Sequence, residues 1–110
     1  MSPAGECSRE EIDAMAGCAV IEFGAAYCGH CRAAQPLIAE ALERYPAARH
    51  IKVEDGPGRK LGRTFRVKLW PTLIFMRQGR EIARLVRPAD VQAIDDALRQ
   101  IDVTAAKGDS

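Results

Sequence analysis

The sequence has no surplus of charge of either sign. Against 16 Lys and Arg stand 15 Asp and Glu in 110 residues, a formal net charge of +1. The basic residues are scattered, with mild clustering only at Arg59-Lys60 and from Arg63 to Lys68. Phosphate binding needs a concentrated positive field, so a nucleic-acid surface is excluded. There is also no apolar run of the length that crosses a bilayer. The opening residues, MSPAGECSREEIDAM, offer neither the basic start nor the continuous apolar segment of a secretory signal. The expectation is therefore a cytoplasmic protein with neither nucleic acid nor membrane among its partners. Internal repeats and low-complexity segments are missing as well. What remains, 47% hydrophobic and 28% charged, is ordinary globular material. It fits a single domain over residues 1–110, with a modest core at 8–101 and a polar tail, DVTAAKGDS, at 102–110.

Metal-binding pairs are equally scarce. Two of the four cysteines form one CxxC, in Tyr27-Cys28-Gly29-His30-Cys31, and no second CxxC or HxxxH pair accompanies it. A structural zinc site takes four ligands, usually from two such pairs, so none is expected. Nor could His30 easily turn inward together with both cysteines, and His50 is far along the chain. Covalent haem attachment needs histidine directly after the second cysteine, where Arg32 stands. In the cytosol thiols are kept reduced, which makes a permanent structural disulfide the weaker use of the pair. Cys18 reads as a small apolar strand residue, and Cys7, near the N-terminus, as exposed.

The chain around the motif reads as alternating elements. Ser8-Arg9-Glu10-Glu11 has the form of a capping box and opens a short helix to about Ala16, with Gly17 as its stop. Cys18 to Phe23 is a nearly continuous apolar run, suited to a strand covered on both faces. Beyond the motif, Ala34, Leu37, Ile38, Ala41, Leu42 and Tyr45 recur at helical spacing, with Pro36 expected to kink the helix. A strand over Arg49–Val53, a short helix near Arg59–Phe65, and two strands, Thr72–Met76 and Glu81–Val86, joined by Gln78-Gly79, follow. Leu73, Phe75, Ile82 and Leu85 of that hairpin read as core. Val91, Ile94, Leu98 and Ile101 mark a closing helix that begins near Pro88. This order implies an α/β sandwich: a central mixed sheet flanked by helices on both faces.

On that map Cys28 lies where a buried strand ends and a helix begins. The first helical turn presents unpaired N–H groups and the positive end of the dipole, so a thiolate there is stabilised and reactive at neutral pH. Cys31 is one turn further on the same face, close enough for a disulfide with Cys28. The spacing suits reversible exchange, in which Cys28 attacks and Cys31 resolves the mixed disulfide. Glu22, in an otherwise apolar strand, has two readings. If buried, desolvation would raise its pKa and fit it to accept a proton from Cys31; otherwise it is a glutamate at a solvent edge.

These residues carry a resemblance. VIEFGAAYCGHC, then Pro36, Trp70-Pro71-Thr72 and Gly79, resemble the thioredoxin superfamily from about Ala19 to Ile101. CGHC in particular is similar to the active sites of protein disulfide isomerase domains, as is Glu22 where thioredoxins usually carry aspartate. The resemblance implies a thioredoxin fold and a redox-active Cys28–Cys31 disulfide, with Glu22 as proton acceptor. It also implies a cis-proline at Pro71, beside which Trp70 and Tyr27 contact substrate, the backbone at Trp70 by strand addition. Read without the resemblance, Pro71 could equally be a strand-starting proline that blunts an edge. His30, with Gly29, would tune the potential: an imidazole near the Cys28 sulfur favours the thiolate and makes the disulfide a stronger oxidant. Arg87 resembles a loop arginine that isomerase domains bring to the active site, but a solvated surface arginine is the plainer reading. Gly24 departs from the tryptophan that thioredoxins usually place there, and Trp70 from their isoleucine, so partner choice is not carried over.

The expectation is a thiol–disulfide oxidoreductase without bound cofactor or metal, acting as a monomer and a cytosolic reductase. Its partners would be protein disulfides and an electron donor such as a thioredoxin reductase or glutathione. Isomerase or oxidase activity, a non-catalytic adaptor using the Trp70 surface, and a redox sensor are the alternatives.

Overall fold

The computed structural model describes residues 7–102. Its organising element is β1 (Cys18–Gly24), buried along all but its last residue. The apolar run predicted a strand with no solvent face, and pairing explains why. On one side β1 lies parallel to β2 (Arg49–Glu54), and on the other antiparallel to β3 (Thr72–Arg77). β4 (Arg80–Val86) pairs antiparallel with β3 and completes a four-stranded mixed sheet of order β2-β1-β3-β4. The parallel step requires a crossover, supplied by α2 (Gly29–Leu42).

Helices cover both faces. On one, α2 and α4 (Val91–Ile101) bury Ala34, Ile38, Ala41, Ile94, Ala97, Leu98 and Ile101 against Val20, Leu73 and Phe75 of the sheet. On the other, α1 (Arg9–Asp13) and α3 (Lys60–Thr64) deliver Ile12 and Leu61 to Ile21, Phe23, Ile51, Val53 and Ile74, with Phe65 just beyond α3. Phe23 and Phe65 meet at tilted rings 5.7 Å apart. Truncating a fully buried side chain such as Leu98 to alanine would cost about 2–5 kcal/mol. Among the described residues no helix is long and apolar enough to cross a membrane.

Local chemistry sets the ends of the elements. Ser8 and Glu11 form the expected capping box, at 3.1 Å and 2.8 Å, but α1 stops at Asp13 rather than near Ala16. The hairpin turn Gln78-Gly79 takes positive φ at both positions, 51° and 75°, the twist that suits a two-residue hairpin. A Cβ on Gly79 would overlap the Asp13 carbonyl oxygen, so the turn seats on the end of α1 only as glycine. Pro36 lies inside α2, which continues on either side of it.

Two expectations change. Ile82 is 42% exposed rather than core. Phe75 pairs with Ala83 and Met76 with Glu81, so Ile82 is the extra residue of a bulge and drops out of the inward alternation. Leu73 is fully buried and Leu85 packs against the first cluster, as expected. The last helix begins after Pro88, because Asp90 caps it by accepting the Ala93 N–H at 2.9 Å. From residue 103 the expected polar tail lies outside the described residues.

Candidate active site

Four strand ends converge at one edge of the sheet. β1 and the parallel β2 both finish there, at Gly24 and Glu54, which pair with each other. β3 starts there opposite β1, Thr72 against Phe23, and β4 ends there, Val86 against Thr72. The segments flanking those ends are therefore neighbours: the loop to Cys28, the loop after Glu54, Trp70-Pro71 and Arg87. The Asp55 N–H donates to the Gly24 carbonyl at 2.8 Å and holds two of them together.

Cys28 caps α2. Its backbone is extended, and its sulfur accepts the Cys31 N–H at 3.1 Å, in the place where Ser, Asp or Asn usually accepts. Cys28 is half-buried, whereas Cys31 is only 7% exposed. Both are thiols, their sulfurs not bonded to each other. Burial pushes the Cys31 thiol up to about 11, helped by its hydrogen bond to Cys28 and by the negative charge at Cys28 and Glu22. The pair is thus an outer, accessible sulfur with an inner, protonated one behind it. His30 and Gly29 are exposed on the first turn of α2, and Tyr27 is 95% exposed just before it.

Glu22 is buried, 3% exposed, and so does not lie at a solvent edge. Its pKa is another matter. Burial acts to raise it, as expected from the sequence, but the result is a carboxylate below its ordinary value. The His50 hydrogen bond, the Gln35 hydrogen bond, and the charges of His50 and Lys52 together outweigh desolvation. His50 Nε2 lies 2.7 Å from Glu22 Oε1, and Gln35 Nε2 donates to Oε2 at 2.5 Å. The same Gln35 amide donates to the Cys31 carbonyl at 3.0 Å, and its oxygen accepts from Lys52 Nζ at 3.2 Å. None of His50, Gln35 and Lys52 was singled out as a site residue from sequence. The signal available was the alternation in Arg49–Glu54, which puts His50 and Lys52 on one side of β2.

The Trp70–Pro71 peptide bond is cis. Trp70 is steadied at both ends: its indole N–H donates to Asp55 Oδ2 at 2.9 Å, and its carbonyl accepts from Arg87 Nε at 2.8 Å. The Arg87 N–H also donates to the Pro71 carbonyl at 3.0 Å. Arg87 thus reaches the proline turn rather than lying loose in solvent. Leu69, 49% exposed, adds apolar surface beside Trp70. Cys18 is buried, its sulfur 3.6 Å from the Ala47 carbonyl, as its strand reading predicts. Cys7 is half-buried against the second cluster rather than exposed. Among the described residues, no three His, Cys, Asp or Glu side chains are grouped to hold a metal ion.

Comparison with known proteins settles the kinship. The thioredoxin family model matches residues 5–100. The chain belongs to the thioredoxin family. It is similar to thioredoxin 2 from Pseudomonas aeruginosa PAO1 in its reduced form, at 51% identity and a TM-score of 0.81, over 92% of this chain and 94% of that one. Thioredoxin O2 from Arabidopsis thaliana in its oxidised state superposes with a TM-score of 0.72 at 28% identity, over 93% of this chain and 91% of that one. An H-type thioredoxin of Oryza sativa subsp. indica is 30% identical over 89 residues, 79% of this chain and 71% of the relative. As a thioredoxin-family protein the chain is a thiol–disulfide oxidoreductase, and its family acts on protein disulfides.

Proposed function

We propose that the chain reduces protein disulfides through Cys28 and Cys31, and one observation carries the assignment of roles. The exposed side of the pair is the sulfur that accepts a helix-start N–H, and the buried side is a thiol pushed up to about 11. Cys28 is then the nucleophile. Its thiolate attacks one sulfur of a substrate disulfide, a Cys28–substrate disulfide forms, and the other substrate sulfur leaves as a thiolate that takes a proton from water. Cys31 next gives its proton to the Glu22 carboxylate and attacks the Cys28 sulfur. The Cys28–Cys31 disulfide forms and the second substrate thiolate is released. The substrate gains two electrons, and an external dithiol or reductase returns them to the protein.

Substrate would lie against Tyr27, Leu69 and Trp70, with its backbone beside the Trp70-Pro71 turn. Arg87 acts there by holding the Trp70 carbonyl, and Gly29 and His30 set the potential from the first turn of α2. In a reducing cytoplasm, with a thioredoxin reductase or glutathione as donor and the chain as a monomer, net flux runs toward reduction. Reduction of insulin by dithiothreitol tests the reading. The wild type should accelerate it and Cys28→Ser should not; equal rates would leave the fold as a non-catalytic adaptor.

A further inference from the structure

A carboxylate held below its ordinary value is a poor place for a proton to stay. Glu22 can take the proton of Cys31 only in passing, and the structure places a next acceptor against it. His50 Nε2 is 2.7 Å from Glu22 Oε1, on the opposite side of the carboxylate from the Gln35 amide that leads back to Cys31. The His50 side chain is 27% exposed and that of Glu22 4%, so the imidazole spans from the buried carboxylate to water. Position on the sheet explains the contact. His50 pairs with Val20 and Lys52 with Glu22, so His50 sits diagonally from Glu22 on the same face of the parallel ladder. β2 is the edge strand and leaves that face open.

We propose that His50 is a positioning residue that carries the proton of Cys31 from Glu22 to solvent during resolution of the mixed disulfide. The inference rests on the assignment of Cys31 as resolving thiol. The balance is complete within the groups named when the imidazole carries its own hydrogen on Nδ1 and turns the Nε2 lone pair toward Glu22: the S–H bond of Cys31 breaks, and the proton passes to Glu22 and then to His50 Nε2. The imidazolium returns a proton to water as the Cys28–Cys31 bond forms and the bond from Cys28 to substrate breaks. Imidazole is suited to this because one ring nitrogen can accept a proton while the other gives one up. The groups facing the relay are Glu22 from β1, Lys52 from β2, and Gln35 with Cys31 and Cys28 behind it from α2. Lys52 tethers Gln35 and adds positive charge but cannot relay, because at neutral pH an ammonium has no lone pair to accept with.

The test is stopped-flow reaction with dithiobis(nitrobenzoate) from pH 5 to 9, in a Cys7→Ala background. Attack releases the first thionitrobenzoate and resolution the second. Wild type, His50→Gln, His50→Asn, Glu22→Gln and the double variant Glu22→Gln/His50→Gln are compared, with thermal melts to confirm folding. Gln at 50 keeps a hydrogen-bonding group beside Glu22 but cannot carry a proton. Its resolution phase should slow by about tenfold at pH 7, less than the roughly 100-fold or more expected on losing a base outright. The pH profile of its resolution phase should also differ from that of the wild type, because the relaying group is gone. The attack phase should change by less than about twofold, and in the Glu22→Gln background the His50 change should add nothing. An unaltered pH profile in both folded His50 variants, or an equal and additive loss in the double variant, overturns the relay. A wild type with no resolution phase would instead remove Cys31 from its role and take the relay with it.

Discussion

A Cβ on Gly24 would stand 2.8 Å from the Cys31 sulfur. The two residues are in contact across the end of β1 and the first turn of α2, and the inner thiol occupies space that a side chain at position 24 would claim. The tryptophan that thioredoxins usually carry there has no room unless the sulfur moves.

Gly24→Ala should therefore act on the active site rather than on the strand. The methyl must displace the Cys31 sulfur, or push the helix start outward. Overpacking of this kind costs about 1–3 kcal/mol. Thermal unfolding should show that loss, and quenched-flow trapping should show slower resolution with attack nearly unchanged. A variant with wild-type resolution would mean that the sulfur relaxes freely into another rotamer.

Alkylation should distinguish the two sulfurs. With Cys31 pushed up to about 11, its thiolate is scarce at neutral pH, and the sulfur is also buried. Limiting iodoacetamide followed by mass spectrometry should label Cys28 well ahead of Cys31, by at least about tenfold. Cys31 should gain ground only as the pH approaches 11. Preferential labelling of Cys31 at neutral pH would reverse the assignment of nucleophile.

The parts of the fold that were legible in sequence are those written in single-chain periodicity. The nearly continuous run Cys18–Phe23 suits a strand covered on both faces, the repeat Ala34, Ile38, Ala41 a helix face, and Ser8 with Glu11 a capping box. Cys28 and Cys31 were legible because their chemistry depends on spacing of three. The features not read depend on how strands meet. No pattern announces that β2 is in the register that brings His50 to Glu22, so the carboxylate was expected to rise with burial when its partners lower it. Ile82 looked inward because alternation cannot register a bulge imposed by pairing with β3. Pro88 suited a first helical turn, but the Asp90 cap two residues on set the start. Arg87 could be placed only once β4 was seen to end beside the proline turn.

The pH dependence of stability should carry the mark of Glu22. Its pKa is lowered in the folded state, so the folded protein holds the carboxylate more tightly ionised than the unfolded chain does. That contribution is fully present above the unfolded value, near 4.5, and is lost as the pH falls through the folded value. Chemical denaturation from pH 7 downward should show the wild type losing stability relative to Glu22→Gln only once the pH drops below about 4.5. A wild type that instead gains stability relative to Glu22→Gln in acid would mean that the carboxylate is destabilised by its surroundings, and that desolvation wins after all.

The remaining test concerns His30, which lies exposed between the two cysteines on the first turn of α2. Replacing it by proline is tolerable for the helix, because N–H groups of the first turn have no partner within the helix. Any effect on the couple should therefore come from removing the imidazole rather than from unfolding the turn. An imidazole able to donate to a thiolate favours it, and so the dithiol over the disulfide. His30→Pro should weaken that preference and make the potential more reducing. General values for isomerase and thioredoxin potentials differ by about 90 mV, or roughly 4 kcal/mol for two electrons, and this one residue should account for a large part of it. The helix-start N–H on Cys28 is unchanged by the substitution and so contributes nothing to the difference. Equilibration of each with glutathione, followed by quantification of dithiol and disulfide, gives the two potentials directly. A more reducing variant supports the tuning role; no shift, or one of opposite sign, would mean that the thiolate is held by the backbone alone.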